Sequence, residues 1–467
     1  MRKSAVLFLL LLTAPACSVM RPAATAPIDP DRAAVYVFLL PLPPDTARLA
    51  IRFGEIAAVR EEGSTVPLRL LIDEAGGPAS SRERRLAAGA LPPGRYAGLA
   101  VTLAAASVKG EQGAADLLLP PGPVRAPIPF AAEAGRAVVL SLRLESKASA
   151  EAGFRITPAF SAERPPRPAP GLIGLASSRG SHTVTLFDKV SGRITGVIPA
   201  GRGASGLAVD AARRRAYVAA PGEDTVEAIG LLEQAVIARV RLRGGDGPIE
   251  LALTPDGGTL VTANAGSSTV SVIDALPLIE TARIPVGDVP GSVLMDRAGR
   301  RAYVFNSSSS TITVLDVPRR AVVGTITTDA GPFRGQFDGA GDTLYVIHRS
   351  SPYLTVVDPL SLAVTGRIFV GTGATALKFD PRTERIYLAS GRTDSIEIYD
   401  PRSLLAVDSI PTEGDVSYMA IDDEGNNLYL LLAATGEVRV IRIVGRQTTA
   451  RADVGDDPYA VVLLGER

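Results

Sequence analysis

Three markers that recur every 42 residues, four β-type segments inside each recurrence, and chain ends that complete one another predict an all-β protein. The predicted fold is a seven-bladed β-propeller over residues 171–467, closed by pairing of both ends of the repeat region and preceded by a small β-sandwich domain. The first marker is the Asp that ends "VSVID" and its equivalents, at Asp274, Asp316, Asp358 and Asp400. The second closes the first strand of each unit, at Asp296, Asp338, Asp380 and Asp422. The third is the Tyr of "AYVF", "LYVI", "IYLA" and "LYLL", at Tyr303, Tyr345, Tyr387 and Tyr429.

Units run over 205–248, 249–290, 291–332, 333–374, 375–416 and 417–459. In the unit at 291–332 the four segments are "GSVLMD", "RRAYVFN", "STITVLD" and "AVVGTIT". Alternating polarity, β-branched enrichment and turns such as "PDGG" (255–258) favour strands over helices. Residues 171–200 match strands two, three and four of a unit without a first, and "YAVVLLGER" at the C-terminus matches a first strand and stops. Joining them makes the seventh blade and removes the exposed edges of the ring. The Asp of "VID" recurs in most blades, which points to a turn-capping job within each blade rather than to chemistry.

Ahead of the repeats, residues 33–162 carry strand-like runs at 33–41, 48–59, 94–108 and 135–146, separated by Gly and Pro clusters. They read as a β-sandwich, with a helix as an option for "ASSRERRLAAGA" (79–90). "ALPPGRYAGLAVTL" resembles the strand start of transthyretin-like sandwiches of bacterial envelopes. The Pro-rich stretch 163–170 is a linker.

Composition agrees with many short strands and tight turns: Gly 46, Pro 36, no Trp and two His. Lys plus Arg and Asp plus Glu are 49 each, a balance unlike the basic excess of a nucleic-acid binder. The opening "MRKSAVLFLLLLTAPAC" has a basic start and an apolar run too short to span a bilayer, so residues 1–16 read as a signal peptide. "TAPAC" resembles a bacterial lipobox, which implies lipid on Cys17, the only cysteine, and a flexible tether over 17–32. Ser18 after it resembles the signal for the outer membrane of a Gram-negative host.

"TLVTANAGSSTVSVIDALPLIETARIPVG", "AYVFNSSSSTITVLD" and "LYVIHRSSPYLTVVD" resemble the YVTN repeat of bacterial and archaeal surface propellers. The resemblance implies an extracytoplasmic seven-bladed propeller and no single activity.

In such a ring the loops between strands two and three share an end with the crossovers between blades. That end is the candidate binding face. Six acids fall in its crossovers, Asp246, Asp288, Asp329, Asp415, Asp456 and Asp457, interrupted by Arg202 and Arg334. They read either as turn formers or as an acidic funnel for cations or a basic partner segment. The second-to-third strand loops add His182, Asn264, Asn306, His348, Arg349 and Arg392. The two His lie three blades apart and make a poor metal or haem site. No HExxH, GxSxG, CxxCH or phosphate-binding Gly loop is present.

These readings point to a non-enzymatic binding scaffold, lipid-anchored in the cell envelope, whose propeller loops recognise a protein or polysaccharide partner. No cofactor, metal or nucleic-acid partner is expected. The alternatives are a structural surface or adhesion component, and a propeller enzyme of lactonase-like or metal or quinone redox type.

Overall fold

A computed structural model describes residues 31–43, 48–76, 82–110, 113–145, 156–422 and 426–464. The signal peptide, Cys17 and nearly all of the tether lie outside the described residues. From Ile173 onward the strands form seven four-stranded antiparallel sheets arranged in a ring. We number the blades 1 to 7 and letter their strands a to d from the axis outward. The a strands are Leu207–Asp210, Pro248–Leu253, Pro290–Met295, Pro332–Phe337, Ala374–Asp380, Val416–Ile421 and Pro458–Leu463.

Burial within a blade follows from stacking. Strands b and c are sandwiched between neighbouring blades and read as nearly continuous apolar runs, such as "RAYVFN" and "TITVLD" in blade 3. Strand d is the rim, and in the same blade "AVVGTIT" is largely exposed. Both recurring Asp columns cap turns at one end of the ring. Asp316 accepts from the Arg319 backbone N–H at 2.8 Å, and Asp358 from that of Leu360 at 2.9 Å. Asp296 accepts from the Arg300 backbone N–H at 2.7 Å, and Asp338 from that of Gly341 at 2.7 Å.

The recurring Tyr joins one blade to the next. Tyr217 Oη in blade 1 donates to the carbonyl of Ala275 in blade 2 at 3.3 Å, and Tyr303 in blade 3 to that of Pro359 in blade 4 at 3.4 Å. Tyr429 in blade 6 donates to the carbonyl of Lys189 in blade 7 at 3.2 Å. A buried hydroxyl needs a partner, and for these three tyrosines the turn after strand c of the following blade supplies it.

Blade 7 is built from both ends of the repeat region. Its a strand, Pro458–Leu463, pairs antiparallel with Ile173–Ser178, in register from Gly174↔Leu463 to Ser177↔Ala460 and on to Ser178↔Pro458. The side chains of Val461, Leu463 and Leu464 are buried in the seam.

Among the described residues the N-terminal unit has ten strands: β1 (Ala33–Leu39), β2 (Leu49–Arg60), β3 (Thr65–Leu70), β4 (Glu74–Gly76), β5 (Arg84–Leu91), β6 (Gly94–Gly110), β7 (Gly113–Asp116), β8 (Val124–Ala132), β9 (Ala137–Glu145) and β10 (Ala159–Glu163). Where the sequence suggested a two-layer sandwich, hydrogen bonds join all ten into one sheet. The sheet curls until β8 lies beside β10 around a single core. The described part of the optional helix, residues 82–90, is not helical. It leads into and forms most of β5, clamped between β1 and β3, and sheet pairing there overrides local helix preference.

Strand β1 welds the two units together, and its seven residues are all buried. Val35, Val37 and Leu39 point into the core of the curled sheet. Ala34, Tyr36 and Phe38 point the other way, into a second core shared with Phe187, Ile194 and Val440 of blades 6 and 7. Polar bonds reinforce the seam: Glu83 accepts from the Ile194 backbone N–H at 2.9 Å, Arg193 pairs with Glu163 at 2.8 Å, and Arg82 pairs with Glu437.

Deleting residues 460–467 is expected to unfold the ring as a whole. Loss of three buried aliphatic side chains costs on the order of 5 kcal/mol before the two new sheet edges are counted. Calorimetry should show the transition displaced well below that of the full chain; coincident transitions would contradict closure by the C-terminal strand.

Candidate binding face at the channel mouth

Backbone hydrogen bonds tie the loops between strands b and c of most blades to the crossovers that precede them. Gly266 N–H donates to Asp246 O at 2.9 Å, Ser307 to Val289 O at 3.1 Å, Arg349 to Gly331 O at 2.8 Å, and Gly391 to Gly373 O at 3.0 Å. In blade 7, Gly180 N–H donates to Asp456 O at 3.0 Å. The loops and crossovers therefore form one end of the ring, opposite the Asp caps.

The acids of this end do not gather on the axis. Asp246 is fully buried and turns outward to Arg283 on strand d of blade 2, at 2.5 Å. Asp329 reaches Arg367 on strand d of blade 4 at 3.0 Å, and Glu413 reaches Arg451 in blade 6 at 3.3 Å. These three pairs are equivalent clips between a crossover and the rim of the following blade. Asp457 pairs with Arg179 at 2.9 Å. Asp288 and Asp415 are exposed and make no ion pair with any described residue.

The polar loop residues are mostly structural. Asn264 Nδ2 donates to Thr269 Oγ1 and Ser271 Oγ at 3.1 and 2.8 Å, and Asn306 braces Thr311 and Thr313 in the same way. His182, at φ 56° in its turn, accepts from the Gly203 backbone N–H at 3.0 Å. His348 ends its strand fully buried, with Nδ1 3.2 Å from Tyr353 O and Nε2 unpartnered. Burial holds both imidazoles below the usual histidine range. Arg392 is exposed on its loop. Among the described residues no group of three or more His, Cys, Asp and Glu could hold a metal ion.

What converges on the axis is Arg334. From strand a of blade 4 its guanidinium crosses the channel, donating to Ser417 O of blade 6 at 3.0 Å and approaching Glu250 of blade 2 at 4.0 Å. It lies 4.4 Å from the centre of the Tyr418 ring and 5.5 Å from that of Tyr459, closing the middle of the ring with one side chain. Two further guanidiniums flank it. Arg349 stacks 4.1 Å above Phe333, which Arg334 also approaches at 5.0 Å, and Arg179 lies 5.0 Å from the Tyr459 ring. The mouth is thus three arginines interleaved with three aromatic rings.

Below them a cavity of about 290 Å³ is lined by the a strands and includes Glu250, Arg334 and Tyr418. Burial pushes the Glu250 carboxyl up to about 7, against the opposing pull of Arg334. Burial likewise pushes the Tyr459 phenol up to about 12.

Of this cluster Arg334 and Arg349 stood among the candidates, whereas Glu250, Tyr418, Tyr459 and Arg179 did not. A signal for two of them is present in the repeat itself. Stepping by 42 from Glu250 gives Ser292, Arg334, Ala376 and Tyr418, one column on the axis-facing strands that carries an acid, a base and an aromatic.

No protein-family model matches the chain, and no curated protein does. Solved structures do match. The chain is similar to a functionally unknown protein from Desulfotomaculum acetoxidans DSM 771, at TM-score 0.54 and 13% identity over 62% of this chain and 98% of that one. It is also similar to the dihydro-heme d1 dehydrogenase NirN in complex with DHE, at TM-score 0.51 and 16% identity over 65% of this chain and 78% of that one. Kuenenia stuttgartiensis hydrazine synthase matches at TM-score 0.46 and 24% identity, over 50% and 75% of the two chains. With the first two of these the fold alone is shared.

Glu250 yields a pH prediction. A carboxyl raised from 4.5 to about 7 keeps its proton in the folded state, so its contribution to stability is complete below 4.5 and is lost as pH rises through 7. Glu250→Gln removes that titration. Its stability relative to the parent should therefore increase steadily between pH 4.5 and 7, as read from denaturant melts; a constant difference across that window would contradict the buried Glu250.

Proposed function

We propose that this chain is an exported binding protein of the YVTN-repeat type, lipid-anchored through Cys17, whose loop end recognises an acidic segment of a partner protein in the cell envelope. The observation that carries the reading is the cluster of Arg179, Arg334 and Arg349 interleaved with Phe333, Tyr418 and Tyr459 at the channel mouth. Guanidiniums bind carboxylates through paired N–H groups, and aromatic faces beside them supply apolar area at little entropic cost. Stacking holds the Arg349 guanidinium over Phe333, so its binding geometry is set before a partner arrives, while Arg179 beside Tyr459 is shared with Asp457. The rigid ring beneath positions loops as a binding surface. A lipid at Cys17 would anchor the whole assembly to a membrane, and several acyl chains at about 0.8 kcal/mol per buried CH₂ suffice for stable attachment. No helix among the described residues is long and apolar enough to cross a membrane.

A photo-crosslinking side chain at the exposed Ser350, beside Arg349, should give a discrete protein adduct in the native host. The same probe at Leu360, which is 83% exposed at the opposite end of the ring, should not. Arg349→Glu should abolish the Ser350 adduct. Equal adducts from both sites, or an adduct indifferent to the charge reversal, would contradict the reading, and a heterogeneous carbohydrate adduct would replace the protein partner with a polysaccharide.

Membrane attachment is tested separately. Cys17→Ser is expected to move the protein from the membrane to the soluble fraction, and unchanged fractionation would remove the lipid anchor.

A further inference from the structure

Between the curled sheet and the loop end of blades 6 and 7 lies a partly enclosed cavity of about 530 Å³. That is within the range of small-molecule sites, roughly 300–1,000 Å³. Five arginines reach its wall from the N-terminal unit: Arg32 just before β1, Arg69 on β3, and Arg82, Arg84 and Arg85 at the start of β5. The propeller contributes two acids, Asp453 and Asp456, so the lining carries an excess of three positive charges, five minus two.

The bonds around the cavity take up part of that excess, through Arg82 and Arg69, and leave the rest in place. Asp453 spends its oxygens on backbone N–H groups, of Arg85 at 2.8 Å and Gly455 at 3.2 Å. Arg82 is engaged by Glu437. Arg85 is 5% exposed; it donates to Thr185 at 3.3 Å, and its buried Nε has no partner. Arg84 and Arg32, both half-buried, have no carboxylate partner among the described residues. Half-buried guanidiniums in excess of their acids have a desolvation cost that a seam built for adhesion alone would avoid. On the side of the curled sheet the wall has an apolar part, with Tyr36, Leu71, Ile72 and Ala88 facing the same space, and the propeller side adds Ser181, His182 and Thr435.

We infer that this cavity binds a small organic anion, an acidic head group on an apolar body. The guanidiniums of Arg84, Arg32 and Arg85 take the head group, and the wall of Tyr36, Leu71 and Ile72 takes the apolar part. The site is independent of the channel mouth, since none of its arginines belongs to the cluster around Arg334.

The full chain is titrated with the anionic fluorophore 1-anilinonaphthalene-8-sulfonate, and bound probe is displaced with decanoate or with decanol. One saturable site is expected, displaced by decanoate and not by decanol. Arg84→Glu should weaken binding at least tenfold, with near-ultraviolet circular dichroism unchanged. Arg32→Glu makes the same test at a second position, should Arg84→Glu fail to fold. Arg319→Glu, on the exposed rim of blade 3, should bind as the parent does. The inference is overturned by the absence of a saturable site in the parent, by equal displacement with decanol, or by parental affinity in a folded Arg84→Glu or Arg32→Glu protein.

Discussion

Everything in this structure depends on one pairing, that of Pro458–Leu463 with Ile173–Ser178. Seven stacked sheets bury both faces of their middle strands only while each has a neighbour on either side. A ring satisfies that condition and a linear stack does not. The pairing also fixes where the chain enters and leaves. Because strand b of blade 7 follows the N-terminal unit directly, that unit is delivered to the outside of blades 6 and 7, where β1 shares a core with them. The arginine-lined cavity exists because of this placement. So does the neighbourhood of Arg179 and Tyr459, which come from opposite ends of the repeat region and meet across the seam.

The propeller was legible because a repeat states the same local solution many times. Strand order, blade count and closure follow from the 42-residue period and from the complementary ends. The capping job of Asp316 and Asp358 was legible too, since a turn bond is local in sequence. The partner of the recurring Tyr was not. Tyr303 reaches Pro359, 56 residues on, and no local pattern reports a bond between two blades. The N-terminal unit has no repeat, and its strands were legible only where they were long and apolar. Strand β5, rich in Arg and Ala, has a composition that suits a helix, and only its place between β1 and β3 makes it a strand.

The loop end shows the same division. Its location followed from the parity of antiparallel strands. Its electrostatic character did not, because sign and position of charge say nothing about side-chain direction. Asp246 and Asp329 turn outward to Arg283 and Arg367, so acids that looked like a funnel serve as clips. With Asp246 and Asp329 paired at the rim, the charge on the axis is that of Arg334, flanked by Arg349 and by Arg179, which Asp457 pairs. Arg334 has a second role: by spanning from blade 4 to blades 2, 6 and 7 it forms a polar plug at the mouth of the channel, above the cavity. The plug leaves Glu250 buried beside a single cation, the condition that raises its carboxyl towards neutrality.

The central claim is that the ring is closed by its own two ends and is as firmly paired there as within any blade. Amide hydrogen exchange on the intact chain tests it most directly. Closure predicts that the backbone N–H groups of Leu175–Ser177 and Ala460–Val462 exchange as slowly as those of the a and b strands of blade 3. Exchange at the seam on the timescale of the exposed loops would contradict it, and with it the shared placement of the mouth, the cavity and the N-terminal unit.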